Sequence, residues 1–397
     1  MWGDTMKRIV ICLDGTWNQV RNPKTVTNVV RLAQSVAPCA ANGTQQICYY
    51  NSGVGTGDPI DRVLGGVFGR GIRANVKRAY TFLSLNYQPG DEIYIFGFSR
   101  GAYTARALAG MIGASGLLKK EFLDLLDVDV AWNHYRTRPS QRSQPGAPKH
   151  PGLDRVHQGA RLRCVGVWDT VGSYGVPAGF GLGALMRYYT SWQRGFHDTH
   201  VNRSVDISLQ ALAVDERRRP FAPTFWTAPA GTHVENHVEQ VWFCGAHSNV
   251  GGGYQDATLA AFRLIWMVAR VTRLTGLAFD TAIVKQYTLN ASASGLLNKS
   301  NRWWPVSRIW PFRRPVEADE KTYQRLARWN NWPLDERPVN ETVHWSVQLR
   351  LREGGRVEDH RHEGYHPSNL RRSLQFSTIT EEEVNLLPPS VMKTFPT

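Results

Sequence analysis

Four segments of the chain share one pattern: a short, unbroken apolar run that stops at glycine and small polar residues. Lys7-Arg8 leads into IVICLDGTWN, Asp91-Glu92 into IYIFGFSRGA, residues 161–163 into CVGVWDTVGS, and Glu239-Gln240 into VWFCGAHSNVGGGY. Runs of this length suit parallel strands covered on both faces. The stretches 26–36, 72–85, 102–117 and 259–274 carry apolar residues at helical spacing. Strands alternating with helices predict an α/β protein with a mostly parallel central sheet flanked by helices. Such sheets bind ligands outside the carboxyl ends of their strands. Asp14, Ser99, Asp169 and His247 each follow one of the four runs, so all four are expected to face that crevice.

Elsewhere the pattern is weaker. Residues 136–151 (RTRPSQRSQPGAPKHP) have no periodicity and read as an exposed loop. Residues 174–230 mix apolar and polar positions around Tyr188, Tyr189, Trp192, Phe196 and Trp226, and are expected to form an insertion or cap over the crevice. From about 296 the composition turns to Trp, Arg and Pro, as in NRWWPVSRIWPFRRP at 301–315. The expected division is a catalytic domain over 7–290 and a C-terminal extension, 291–397, packed on or near it. The longest apolar stretch, 259–279, is broken by Arg263, Arg270 and Arg273. It reads as a core or amphipathic helix rather than a membrane span.

Composition narrows the class. Hydrophobic residues at 42% and charged residues at 20% describe a globular chain and exclude a disordered one. A formal charge of +14 favours anionic partners, among them an acidic membrane surface. No zinc-finger spacing, RNP-like aromatic string or basic zipper accompanies that charge, so nucleic acid is not an expected partner. The five cysteines form no CxxC pair, and Cys12, Cys164 and Cys244 sit inside apolar runs as small buried hydrophobes of a reduced protein. No secretory signal pattern precedes the first strand. The expectation is a cytoplasmic protein, or one exported by a route that reads no N-terminal signal.

The candidate chemistry centres on Gly97-Phe98-Ser99-Arg100-Gly101, a G-x-S-x-G between a strand and a helix. A nucleophile elbow needs that context, because the serine must stand exposed above the sheet on a tight turn. Serine also needs a base, and the base an orienting carboxylate. In α/β-hydrolases these follow in the order Ser, Asp or Glu, His, which Ser99, Asp169 and His247 obey. Asp198 and Asp215 also lie between the serine and the histidine and stay open as alternative acids, although Asp215-Glu216 precedes three arginines and invites salt bridging. Oxyanion donors are expected from the backbone N–H of Arg100 and from the loop after the first strand, at Gly15 and Thr16.

Other signals carry less. The glycine-rich stretch 65–71 lacks the Lys-Ser/Thr of a phosphate-binding loop. His360, His362 and His366 match no standard metal spacing, and neither a metal nor a cofactor is expected. Trp303, Trp304, Trp310 and Phe312 interleave with Arg302, Arg308, Arg313 and Arg314, a composition that suits either an anionic lipid surface or a packing flap.

The set DGTWN at 14–18, GDEIYIFGFSRGAYTAR at 90–106, VWDTVGSYG at 167–175, ALAVDERRRPFAPTFW at 211–226 and CGAHSNVGGGY at 244–254 resembles the bacterial type VI secretion phospholipase effectors of the first lipase class. HWSVQLR at 344–350 and YHPSNL at 365–370 extend the resemblance. It implies an α/β-hydrolase fold and hydrolysis of phospholipid acyl esters, with Ser99 as nucleophile, Asp169 as triad acid and His247 as base. It also implies a phospholipid substrate, with a secretion-apparatus partner or an immunity protein. A soluble carboxylesterase acting on small esters, or a catalytically silent binding protein on the same fold, are the alternatives.

Overall fold

In the computed structural model, the first apolar run forms β1 (Arg8–Leu13). Residues 6–15, 25–53, 66–171, 203–229, 231–232, 234–300, 311–330, 334–358, 361–370 and 375–393 are described. Successive side chains of a strand point to opposite faces, so a strand buried on both must be apolar throughout. Val10 and Cys12 join one hydrophobic cluster and Ile9, Ile11 and Leu13 another, all essentially without exposure.

The apolar parts of β3 (Glu92–Phe98), β4 (Arg161–Trp168) and β6 (His237–Phe243), the other three runs, are buried in the same way. With β2 (Gln46–Asn51), β5 (Val205–Ala213) and β7 (Glu341–Val343) they make a seven-stranded parallel sheet in the order β2-β1-β3-β4-β5-β6-β7. Helices α1 (Asn28–Ser35) and α6 (Thr258–Thr275) pack on one face, and α2 (Gly66–Asn86), α3 (Arg100–Ser115) and α4 (Leu125–Arg136) on the other. The short α5 (His247–Gly251) follows β6. This is the α/β architecture, a parallel central sheet flanked by helices, that the pattern predicts.

The chain runs outward from β1 to β2, then returns to place β3 on the other side of β1. The switch point therefore lies outside the ends of β1 and β3, where a crevice opens. Asp14 and Ser99 follow those two strands.

Three strands were not expected, and β5 corrects the expected cap. Residues 205–213 lie within the 174–230 span but form a central strand between β4 and β6. Asp206, Ser208 and Gln210 break its apolar run in sequence. The sheet accommodates Gln210 by hydrogen bonds: Thr170 Oγ1 donates to its Oε1 at 2.5 Å, and its Nε2 donates to Gln240 Oε1 at 3.0 Å. Residues 172–202, the rest of that expectation, lie outside the described residues. The glycine-rich stretch opens α2 from Gly66 onward, so it forms helix rather than a phosphate-binding loop.

Residues after 311 complete the sheet. β7 pairs with β6, and α7 (Glu320–Asn330) and α8 (Trp345–Glu353) supply Tyr323, Ala327 and Val347 to a third cluster with Trp242 and Leu212. At the end of β7 the buried His344 donates from Nε2 to Glu383 Oε1 at 3.0 Å, which ties down α9 (Glu381–Leu386). No helix among the described residues is long and apolar enough to cross a membrane.

Candidate active site

Ser99 stands between the last residue of β3 and the first of α3, with φ 59° and ψ −119°. A non-glycine residue there costs about 1–3 kcal/mol and persists only where its surroundings impose it. The turn is imposed by close backbone approach on both sides. A Cβ on Gly97 would lie 2.4 Å from the carbonyl oxygen of Gly101, and one on Gly101 would lie 2.1 Å from that of Leu13. The N–H of Ser99 donates to the Trp168 carbonyl at 3.1 Å, anchoring the turn to β4.

His247 opens α5 and is 4% exposed. Its ring lies between those of Phe98, at 4.6 Å, and Phe221, at 5.0 Å. His247 Nε2 is 2.8 Å from Ser99 Oγ, and Nδ1 is 2.6 Å from Asp169 Oδ2. An ionised carboxylate only accepts, so Nδ1 carries the proton and Nε2 is left to accept from the serine hydroxyl. Burial pushes the imidazole below its ordinary pKa, and Asp169 offsets part of that shift.

Asp169 follows β4 with φ 43° and is fully buried. Among the described residues four non-glycines have positive φ, and two of them are Ser99 and Asp169. The Asp169 N–H donates to the Ala211 carbonyl at 2.7 Å, and its Oδ1 accepts from the Ala213 N–H at 3.0 Å. The buried Arg314 donates from Nη1 to Oδ1 at 2.5 Å and from Nη2 to Oδ2 at 2.9 Å. Burial alone would raise this carboxyl; the Arg314 charge and the hydrogen bonds of His247 and Arg314 outweigh it and hold it down to about 2.

A second ion pair borders the imidazole. Glu216 Oε2 accepts from the His247 backbone N–H at 3.3 Å, and Arg218 donates to both Glu216 oxygens at 2.8 and 2.9 Å. This is the salt bridging that the acidic pair before three arginines suggested. Asp215 does not reach the imidazole: its Oδ2 accepts from the Gly245 N–H at 2.6 Å and from the Tyr365 hydroxyl at 2.8 Å. It braces the turn that carries His247. Asp198 lies outside the described residues.

Of the expected oxyanion donors, Arg100 is the first residue of α3, where a helix concentrates partial positive charge. The Gly15 N–H donates to Asp14 Oδ1 at 2.7 Å, so it is directed at its neighbour's side chain. Asp14 also accepts from Thr27 and Tyr50, which makes it a brace of the first loop. Thr16 lies outside the described residues, as do His360, Arg302, Trp303, Trp304, Arg308 and Trp310. His362 and His366 are exposed, and the described residues contain no group of three metal-ligating side chains.

Sequence reading missed Arg314, Glu216 as the holder of the His247 backbone, and Phe221. Arg314 sits in an extended stretch where Phe312 and Arg314 turn inward while Pro311 and Arg313 stay exposed. That two-residue alternation is the one local signal that separates the buried arginine from its neighbour.

Residues 7–270 match the family described as T6SS, phospholipase effector Tle1-like, catalytic domain. An uncharacterized protein of Saccharomyces cerevisiae, YEL023C, is 30% identical over 244 residues, covering 56% of this chain and 33% of that protein. Among solved structures, an uncharacterized protein from Pseudomonas aeruginosa aligns with TM-score 0.45 and 16% identity over 82% of this chain and 53% of its own. The Tle1 effector bound to the VgrG spike of the type 6 secretion system aligns with TM-score 0.34 and 17% identity, over 64% of this chain and 52% of its own. A butyrate-bound esterase of Thermogutta terrifontis gives 0.36 and 12%, over 69% and 86%. The chain thus spans a third of the yeast protein and about half of the first two structures.

Proposed function

Because the chain belongs to the type VI secretion phospholipase effector Tle1-like catalytic domain family, we propose that it is a serine hydrolase of carboxylic esters whose substrates are phospholipid acyl esters. The observation that carries this reading is the continuous relay from Ser99 Oγ through the two ring nitrogens of His247 to Asp169, at 2.8 and 2.6 Å.

In this mechanism His247 Nε2 takes the Ser99 proton as Oγ attacks the ester carbonyl. The backbone N–H of Arg100 at the head of α3 stabilises the oxyanion. Gly15 supplies a second donor once its N–H turns from Asp14 to the oxyanion. The protonated His247 then passes its proton to the leaving alcohol, and water hydrolyses the acyl-enzyme by the same steps. Asp169 holds the tautomer and stabilises the imidazolium. A neutral imidazole is the active form, and the burial that depresses its pKa keeps it neutral to a lower pH than an ordinary histidine.

The net charge of +14 supports action at an anionic lipid surface. Family membership supports export by the type VI apparatus, since a solved Tle1 effector is bound to the VgrG spike.

Fatty-acid release from phosphatidylglycerol and phosphatidylethanolamine vesicles tests the reading, with wild type beside Ser99→Ala. Release by wild type, reduced at least about a thousandfold in the variant, is expected. Equal release by both would sink the assignment of Ser99. Turnover of short dissolved esters without vesicle hydrolysis would replace the lipid substrate with a small one.

A further inference from the structure

The guanidinium of Arg314 makes four hydrogen bonds with its two terminal nitrogens. Two go to the separate oxygens of Asp169, one to the Ala213 carbonyl at 3.1 Å and one to the Phe221 carbonyl at 2.6 Å. Both side chains of the ion pair have no exposure. The arrangement leaves the Arg314 Nε–H buried without a partner among the described residues. An orphaned buried donor costs about 1–3 kcal/mol, so the fork is aimed at the carboxylate at the expense of its own satisfaction. The Ala213 and Phe221 carbonyls fix the plane of the guanidinium, and the guanidinium fixes the plane of the carboxylate. The carboxylate oxygen that remains in reach of the imidazole is the one on His247 Nδ1.

We propose that Arg314 is a positioning residue of this site, acting through Asp169 to orient His247 and to set the pH at which that imidazole becomes a base. The inference rests on the serine-hydrolase reading above and adds to it a residue from outside the matched span of 7–270.

The charged surroundings fix the sign. Glu216 and Arg218, from the segment after β5, pair with each other, with Tyr254 beyond Arg218; Arg100 follows the serine at the head of α3. Arg314 offsets the charge of Asp169 and weakens its pull on a second imidazole proton. Loss of the Arg314 charge leaves Asp169 uncompensated, strengthens that pull and raises the pKa of His247. The base is then protonated over a wider range, and the acidic limb of activity moves to higher pH. An opposite charge at this distance moves a pKa by about 1–3 units; passed through Asp169 to the ring, the expected movement is about one pH unit.

The test is the rate of covalent labelling of Ser99 by a fluorophosphonate between pH 4.5 and 9, in wild type, Arg314→Met and Arg314→Lys, with Ser99→Ala as blank. Thermal unfolding of each variant is measured alongside. This readout needs no lipid, so a wild type that labels but leaves vesicles intact overturns the substrate assignment and leaves Arg314 standing. For Arg314→Met the inflection is expected to move up by about one pH unit, and the rate above it to fall several-fold because the carboxylate plane is no longer held. For Arg314→Lys, which keeps the charge but not the fork, the inflection is expected to stay and the rate to fall several-fold. Folded variants that label with the wild-type rate and profile overturn the proposal and reduce Arg314 to a packing residue. Should Arg314→Met fail to fold, Arg314→Lys decides: a wild-type rate overturns the proposal, and a slower rate with an unmoved inflection supports it. An unlabelled wild type overturns the hydrolase reading and the proposal with it.

Discussion

Ser99 holds a backbone conformation that its own side chain disfavours, and two glycines make it tenable. A methyl group on Gly101 would overlap the Leu13 carbonyl at 2.1 Å, and backbone has no rotamer with which to give way. Gly101→Ala is therefore expected to lower stability by about 2 kcal/mol or more and to misplace Oγ, so that fluorophosphonate labelling falls even in protein that remains folded. Urea unfolding and the labelling rate check the two halves separately; a variant as stable and reactive as wild type would show that the turn has slack. Ser99, Asp169 and His247 were legible in the sequence because each ends an unbroken apolar strand, which fixes both its burial and the end of the sheet it occupies. Arg314 was not legible. An arginine among tryptophans and prolines reads as surface chemistry, and its carboxylate partner is remote in sequence.

Elements differ in how far their pattern survives burial. β1, β3, β4 and β6 announce themselves by apolar runs that stop at glycine or small polar residues, although Arg8, Glu92 and Gln240 within these strands are buried and paired. β5 carries Ser208 and Gln210 inward and satisfies the glutamine with Thr170 and Gln240, so its polar positions imitate a loop. β7 is three residues long and owes its existence to pairing with β6. It also holds a carboxyl in the wrong medium. Burial raises Glu341 to about 7, although Trp242 donates to its Oε1 at 2.8 Å. A carboxyl whose folded pKa lies above its unfolded value binds more protons when folded, so its contribution is complete below the unfolded pKa near 4.5 and is lost as pH rises through about 7. Glu341→Gln keeps an acceptor for Trp242 and removes the charge. The expectation is a gain on the order of 1–2 kcal/mol at pH 8 and none at pH 4.5, read from urea unfolding at the two values. An equal gain at both would assign the effect to packing instead of ionisation.

The whole molecule is less divisible than its sequence suggests. The expected boundary near 290 separates residues that the fold puts in contact: β7 on β6, Tyr365 on Asp215, and Arg314 on Asp169. A chain ending at residue 290 is expected to expose the flank of β6, to aggregate on expression, and to leave Ser99 unreactive towards fluorophosphonate in any soluble fraction. Full labelling of that fragment would restore the boundary as a true domain limit. The late arrival of these contacts also has a meaning in time. On a ribosome adding about 5–20 residues per second, the roughly 100 residues between β6 and β7 take on the order of 5–20 s to appear. For most of that interval, until residue 314 is added, the nascent chain carries serine and histidine without the guanidinium for Asp169, and throughout it lacks the strand that closes the sheet. The order of translation thus places the serine and the histidine on the nascent chain well before the contacts that hold them in line.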